Sequence, residues 1–330
     1  MSSNKRDPKL NYALAINEAL YQKLEQDDRV LLMGQGVKSP WYVGQTAKDL
    51  IETFGETRII DTPVSENAMT GAAVGAAISG MRPVVVHPRM DFMLYAFDPI
   101  INQAANWYYM SGGMVNAPVV IWGVINRGGE QGAQHSQALH ALFAHIPGLK
   151  VVMPATPYDA KGLMVAAIED ENPVIFIDDR QLYGIEADVP QELFSVEIGK
   201  AAVRREGKDV SLIGVSYMAH LAEKAADILT EEGIEVEVVD LRTVKPLDVD
   251  AIVNSVKKTG RAVIADPGWA FGGLAAEVSA VITENAFAEL KTHPVRVTLA
   301  DVPAPAARTL EKEYYPDVSD LVDTVRKVMQ

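Results

Sequence analysis

Cysteine is missing from all 330 residues, which excludes a disulfide framework, a thiolate nucleophile and any cysteine-based zinc site. Positive charge is scarce: 30 Lys and Arg stand against 44 Asp and Glu, a formal net charge of −14. No Lys/Arg cluster reverses that locally, so the chain has no electrostatic footprint for nucleic acid. No apolar run approaches the roughly 20 residues needed to span a bilayer, and the opening MSSNKRDPKLNY lacks the apolar core of a secretory signal. A soluble, cytoplasmic protein is the expectation. Three motifs are also missing: G-x-G-x-x-G after the first strand, G-x-x-x-x-G-K-[ST], and G-x-S-x-G. The sequence therefore gives no warrant for a Rossmann dinucleotide site, a P-loop or a hydrolase nucleophile elbow. His135, His140 and His145 stand at i, i+5 and i+10, which spirals around a helix instead of forming a metal-ligand pair of the H-E-x-x-H kind.

What is present is alternation. The length favours two domains. Helical patterns at 10–26, 45–55, 66–80, about 91–110, from near His135, and 157–169 alternate with apolar runs at 30–33, 57–60, 83–86, 119–122, 149–153 and 174–177. Continuous apolar strands between helices predict an α/β fold with a parallel sheet covered on both faces. The pattern fails across GIEADVPQELFSVEI (184–198) and then restarts with strands at 210–215, 234–239, 262–265 and 295–299. Helices are expected between them at 217–231, 248–258 and 272–285, and a closing amphipathic helix at 317–329. The reading is a first domain over 1–185, a linker over 186–198 and a smaller α/β domain over 199–330.

Ligands in open α/β sheets sit beyond the carboxyl ends of strands, and three segments there carry polar residues. In DTPVSEN (61–67), Glu66 heads a segment of small residues with Gly71, Gly75 and Gly80. From these residues alone it reads first as a first-turn carboxylate suited to the helix dipole, with Ser65 or Asp61 as cap. In NRGGEQGAQHSQ (126–137), three glycines deliver His135 to an expected helix start, where a neutral imidazole is favoured; it reads equally as a surface residue. In HPRMDF (87–92), His87 and Arg89 follow a buried strand, and the planar fork of Arg89 suits a carboxylate or phosphate.

Taken together, RIIDTPVSE (58–66), YYMSGG (108–113), GAQHSQ (132–137), PGLKVVMPATPYDAKGL (147–163), EDENPVIF (169–176), VEVVDLRTVKPLD (236–248) and GGLAAEV (272–278) make the chain resemble a known family. That family is the β subunits of the thiamine diphosphate-dependent 2-oxo acid dehydrogenases, which act on pyruvate, branched-chain 2-oxo acids or acetoin. The motifs occur in order over nearly the whole chain. The resemblance implies the parallel-sheet pyrimidine-binding domain of thiamine diphosphate enzymes, followed by a smaller transketolase C-terminal-like domain.

The resemblance implies that Glu66 hydrogen-bonds the cofactor's aminopyrimidine and favours the imino tautomer that removes the thiazolium proton. It implies that Phe92 stacks on the aminopyrimidine, that Val64 and Tyr95 also bind the cofactor, and that His135 faces the substrate or its covalent adduct as a donor or proton relay. It places potassium, as in some relatives, at Val119, Ala167, Ile168, Asp170 and Asn172. The Mg²⁺ and diphosphate motif of related enzymes, G-D-G…N, is absent from the sequence. The resemblance therefore implies a separate α subunit carrying that motif and an α₂β₂ heterotetramer.

Departures from the family cluster where the substrate should enter. Val86, His87, Pro88 and Arg89 replace roughly E-F/Q-F, the loop at 125–137 gains Arg127 and Glu130, and Asp178 and Asp179 stand where a Glu and other residues are usual. The leading expectation is decarboxylation of a 2-oxo acid, with transfer of the acyl unit to the lipoyl group of an acyltransferase. One alternative is a split transketolase-like or carboligating enzyme, with His87, Arg89 and Arg127 reading a sugar or its phosphate. The other is a non-catalytic regulatory paralogue, against which the presence of Glu66, Phe92 and His135 argues.

Overall fold

The computed structural model describes residues 8–39 and 42–330; the first seven residues of the MSSNKRDPKLNY segment lie outside it. Two compact units emerge, one of residues 1–126 with 143–198, the other of 127–142 with 199–330. Residues 127–142, counted with the first domain on sequence, thus belong to the second unit.

In the first unit, the elements run β1 (Lys9–Asn11), α1 (Tyr12–Gln26), β2 (Val30–Gly34), α2 (Leu50–Phe54), β3 (Ile59–Asp61), α3 (Glu66–Ile78) and β4 (Arg82–His87). They continue with α4 (Ala105–Met110), β5 (Val120–Ile125), then, past α5 (His140–Ala144), β6 (Lys150–Val152), α6 (Pro157–Glu169), β7 (Val174–Asp179) and β8 (Glu186–Asp188). The main strands are parallel in the order β6-β7-β5-β4-β2-β3. β2, β5 and β7 are buried along their whole length, as a sheet covered on both faces requires. Because β2 pairs with β3 on one side and β4 on the other, the order reverses there, and the carboxyl ends of these three strands border one crevice.

Three expectations need correction. The helix expected over 45–55 shrinks to α2, because Val43, Gln45 and Asp49 take positive φ and cannot continue a helix. The helix expected over 91–110 is three pieces: a 3₁₀ turn at Met90–Ala96, a π turn at Asp98–Ala104, and α4. Pro99 lacks the N–H that would continue an α ladder, and the Asn106 amide donates to the Ile101 carbonyl at 2.9 Å. The helix expected near His135 begins only at His140, because Gly128, Gly129, Glu130 and Gly132 all have positive φ and His135 lies in the bend that follows.

The stretch expected as a linker carries β8, which pairs antiparallel with β1. Its continuation is fastened by Lys161, buried in α6, whose ammonium donates to Glu18 at 2.9 Å and to the carbonyls of Pro190 and Glu192 at 2.7 and 2.9 Å.

The second unit holds β9 (Ala202–Arg205), β10 (Val210–Gly214), α7 (Tyr217–Glu231), β11 (Val236–Asp240), β12 (Thr243–Lys245) and α8 (Val249–Thr259). After them come β13 (Ala262–Trp269), α9 (Leu274–Ala286), β14 (Val295–Leu299), α10 (Arg308–Tyr314) and α11 (Val318–Met329). Its sheet runs β14-β13-β10-β11-β9, parallel except for β9, which the periodicity missed together with β12 and α10. Leu212, Val238 and Val263 pack with Leu221 and Ala225 of α7 and Leu321 and Val325 of α11.

Two glycines give opposite expected outcomes. A Cβ on Gly75 in α3 meets no atom within 4 Å, so Gly75→Ala should stabilise the isolated chain by about 0.5–1 kcal/mol. Gly148, at φ +88°, lies against the Ala105 carbonyl, so Gly148→Ala should cost more than about 1 kcal/mol. Urea unfolding of the two variants checks both signs.

Candidate active site

The crevice beside β2 gathers the first group of polar residues. Gln35 follows β2 directly, Glu66 opens α3 after β3, and His87 closes β4. The Glu66 carboxylate is half-buried and accepts a hydrogen bond from the Gln35 amide at 3.0 Å. Neither expected cap serves α3: the Ser65 hydroxyl donates to Val64 O at 2.7 Å, and Asp61 accepts from the Gly36 amide at 2.6 Å. Glu66 is thus held by a neighbouring strand end and not merely placed by helix statistics. Gln35 escaped the sequence reading, although its place directly after the Gly34 strand end was a signal.

Phe92 sits half-buried on the 3₁₀ turn, which packs against α3. Gly123 in β5 makes this possible, since a Cβ there would overlap the sulfur of buried Met93. Val64 and Tyr95 are 77% and 70% exposed. A fixed carboxylate beside open apolar side chains fits in kind one wall of a site for a planar, nitrogen-bearing ring, uncovered on its other side.

His87 is fully buried, its Nε2 3.1 Å from the Thr70 hydroxyl, and burial pushes its pKa down to about 3, so it is neutral. Arg89 is half-buried; its Nη1 donates to Pro88 O at 2.6 Å. Burial, and then the nearby Arg180 guanidinium, lower its pKa. Asp178, at the end of β7, accepts from the Trp122 indole at 3.1 Å and the Tyr183 hydroxyl at 2.7 Å. Burial raises its pKa to about 7 despite these donors. Tyr42, Arg180 and Tyr183, which join this cluster, carried no periodic signal.

In the second unit, Arg127 is buried with its guanidinium 4.7 Å from the Tyr217 ring centre and 6.0 Å from that of Tyr315. The Glu130 amide donates to both Glu311 carboxylate oxygens, at 3.0 and 3.1 Å. These contacts anchor the loop that carries half-buried His135. His140 lies 3.0 Å from Asp266, whose other oxygen accepts from the Ala275 amide at 2.9 Å. Burial opposes the Asp266 charge, but His140 and the backbone amides outweigh it and hold its pKa low. Glu66, Phe92, His87 and Arg89 therefore belong to one unit, Arg127 and His135 to the other.

The residues expected at potassium are also placed. Arg82 donates to Ile168 O at 2.9 Å and Asp170 O at 3.1 Å, Val119 O accepts from the Val174 amide at 3.0 Å, and Asp170 pairs with Lys150. Carbonyl and carboxylate oxygens are the donors a hard cation takes, and Arg82 and Lys150 already bring positive charge to them. Among the described residues, no group of three or more His, Cys, Asp or Glu side chains is arranged for a metal, and no helix is long and apolar enough to cross a membrane.

Comparison with known families gives the class. Residues 8–186 match the transketolase pyrimidine binding domain and residues 199–321 the transketolase C-terminal domain. The chain is 44% identical over 333 residues to the acetoin:2,6-dichlorophenolindophenol oxidoreductase subunit beta of Cupriavidus necator, covering 98% of each. It is 42% identical to the pyruvate dehydrogenase E1 component subunit beta of Rickettsia felis, covering 95% of this chain and 96% of that one. With the mitochondrial subunit of Bos taurus it shares 41% identity, over 96% and 89%. A solved "Split gene transketolase, inactive beta4 tetramer" superposes with a TM-score of 0.81 at 25% identity, over 97% of this chain and 98% of that one. The chain belongs to the β subunits of the thiamine diphosphate-dependent 2-oxo acid dehydrogenases. These relatives favour the dehydrogenase reading over the transketolase and regulatory alternatives.

Asp178 gives this site a pH signature. Its ordinary pKa of 3.8 rises to about 7 in the folded chain, which therefore holds a proton that the unfolded chain releases. The stability due to the neutral acid is complete below pH 3.8 and is lost as pH rises to about 7. Asp178→Asn should abolish that decline, gaining up to about 4 kcal/mol on the wild type between pH 4 and 7.5. Urea unfolding of both chains at the two pH values measures it.

Proposed function

We propose that this chain is the β-type half of a heteromeric enzyme that decarboxylates a 2-oxo acid and passes the acyl unit to the lipoyl group of an acyltransferase. One observation carries the reading: the Glu66 carboxylate stands at the sheet's reversal point, held by Gln35 at 3.0 Å. Thiamine diphosphate, when bound, supplies the electron sink that lets carbon dioxide leave. Glu66 accepts from the ring and holds its tautomer, Phe92 with Val64 and Tyr95 faces the ring, and His135 moves a proton on the substrate side. His87, Arg89 and Arg127 serve the substrate.

The finer parts of the proposal rest on the resemblance. An α subunit holds the diphosphate and most of the Mg²⁺ shell, the assembly is α₂β₂, and the protein is cytoplasmic. Potassium, where bound, sits at Val119, Ala167, Ile168, Asp170 and Asn172. The functional domains divide at 1–185 and 199–330, joined by 186–198.

The test is proton exchange at the thiazolium carbon, followed by quenched-flow NMR on the assembly loaded with thiamine diphosphate and Mg²⁺. Glu66→Gln should slow it by about 10²–10⁴-fold while the α and β chains still co-elute. Exchange at the wild-type rate overturns the role of Glu66.

A further inference from the structure

Two guanidinium groups lie near each other at the carboxyl edge of the first unit's sheet, where the pull of the buried Asp91 carboxylate on Arg89 is smaller than the push of Arg180. Arg89 donates to Pro88 O, and Arg180 donates to Asn126 Oδ1 at 2.8 Å, both uncharged acceptors. Their mutual repulsion is felt by Arg89. Beside them are polar atoms with no hydrogen-bond partner among the described residues: Arg89 Nε, the buried Tyr42 hydroxyl and His87 Nδ1. Tyr42 interacts electrostatically with both Arg89 and Asp178. Its loop is pinned because Gly44 lies flat against the Tyr183 ring, where any Cβ would overlap. The Tyr42 ring also lies 3.7 Å from the Cβ position of Gly36, next in sequence to the Gln35 that holds Glu66. Unmet polar atoms and a surplus of positive charge among buried side chains are costly unless an anion fills the space. Planar guanidinium forks select an oxyanion.

We propose that Arg89 and Arg180, with Tyr42 as roof, form a subsite for an oxyanion at the far end of the substrate, so that the enzyme takes a 2-oxo acid bearing a second anionic group. The subsite rests on the decarboxylase reading above. The oxyanion is not the departing carboxylate. That group loses its charge as carbon dioxide forms, so arginines bound to it would stabilise the ground state and slow the step. A carboxylate or phosphate that survives the reaction is held equally throughout and positions the substrate. His87, neutral and anchored on Thr70, adds no charge but offers a ring nitrogen at the same strand end.

The test uses the assembled α and β chains with thiamine diphosphate and Mg²⁺. 2-Oxoglutarate and 2-oxoadipate probe a distal carboxylate, 3-phosphonooxypyruvate a distal phosphate, and 2-oxopentanoate is the neutral control. At least one anionic acid should exceed the control by 100-fold or more in kcat/KM. Arg89→Met should collapse that ratio about 100-fold, mainly through KM, and Arg89→Lys should restore part of it. A neutral acid used as well as the anionic ones, or a ratio that Arg89→Met leaves unchanged, overturns the subsite. If no 2-oxo acid turns over, the decarboxylase reading falls, and calorimetric titration of the assembly with succinate and inorganic phosphate decides the subsite. Binding lost in Arg89→Met sustains it; binding unchanged, or absent from both, overturns it. Dissociation of the assembly by Arg89→Met assigns Arg89 to an ion pair between chains and also overturns it.

Discussion

The parallel pairing of β2 with β3 on one side and β4 on the other is the constraint from which the site follows. A parallel crossover must return over the sheet, so the chain that leaves β3 through α3 comes back on the far side of β2. That path delivers the ends of three strands to one edge, and Gln35, Glu66 and His87 arrive there together. Gly34 belongs to the same constraint. A Cβ on it would meet Val86 of the neighbouring strand at 2.6 Å, so β2 ends on the residue that lets β4 lie alongside.

Charge is distributed unevenly against that frame. The acidic chain spends its lysines and arginines on definite tasks: Lys161 satisfies carbonyls that follow β8, Arg82 gathers carbonyls at the C-terminal end of α6, and Arg127 lies against two tyrosine rings. Arg89 donates to Pro88 O and Arg180 to Asn126 Oδ1, both neutral acceptors, and Asp91 offsets the repulsion between them only in part. The nearby Asp178 does not compensate them firmly, because burial leaves its carboxyl near its titration point at neutral pH.

Where the backbone is regular, the sequence was a good guide. α1, α3, α6, α7, α8 and α11 and the buried strands fall close to their hydrophobic patterns, because burial of one face or both writes itself into residue spacing. It misled where the backbone leaves ordinary space. Non-glycine residues at positive φ around Val43 and Glu130, and the π turn after Pro99, have no periodic signature. Glu66, Phe92 and His135 could be named from motifs. Gln35 had only its place after the Gly34 strand end to mark it, and Tyr42 and Arg180 had nothing, since what brings them near the others is which strand ends adjoin. The assignment of residues 127–142 to the second unit is likewise a matter of tertiary contacts that no local pattern carries.

The half-exposure of Glu66 sets how such an enzyme would answer to dilution. A carboxylate in contact with water has its hydrogen bonds weakened by solvent competition, and cover from a partner chain would dry it. On the proposed division of labour, assembly and not folding completes the catalytic acid. Specific activity would then fall with protein concentration well before any chain unfolds, and the gap between the two thresholds would report the affinity of the halves for each other.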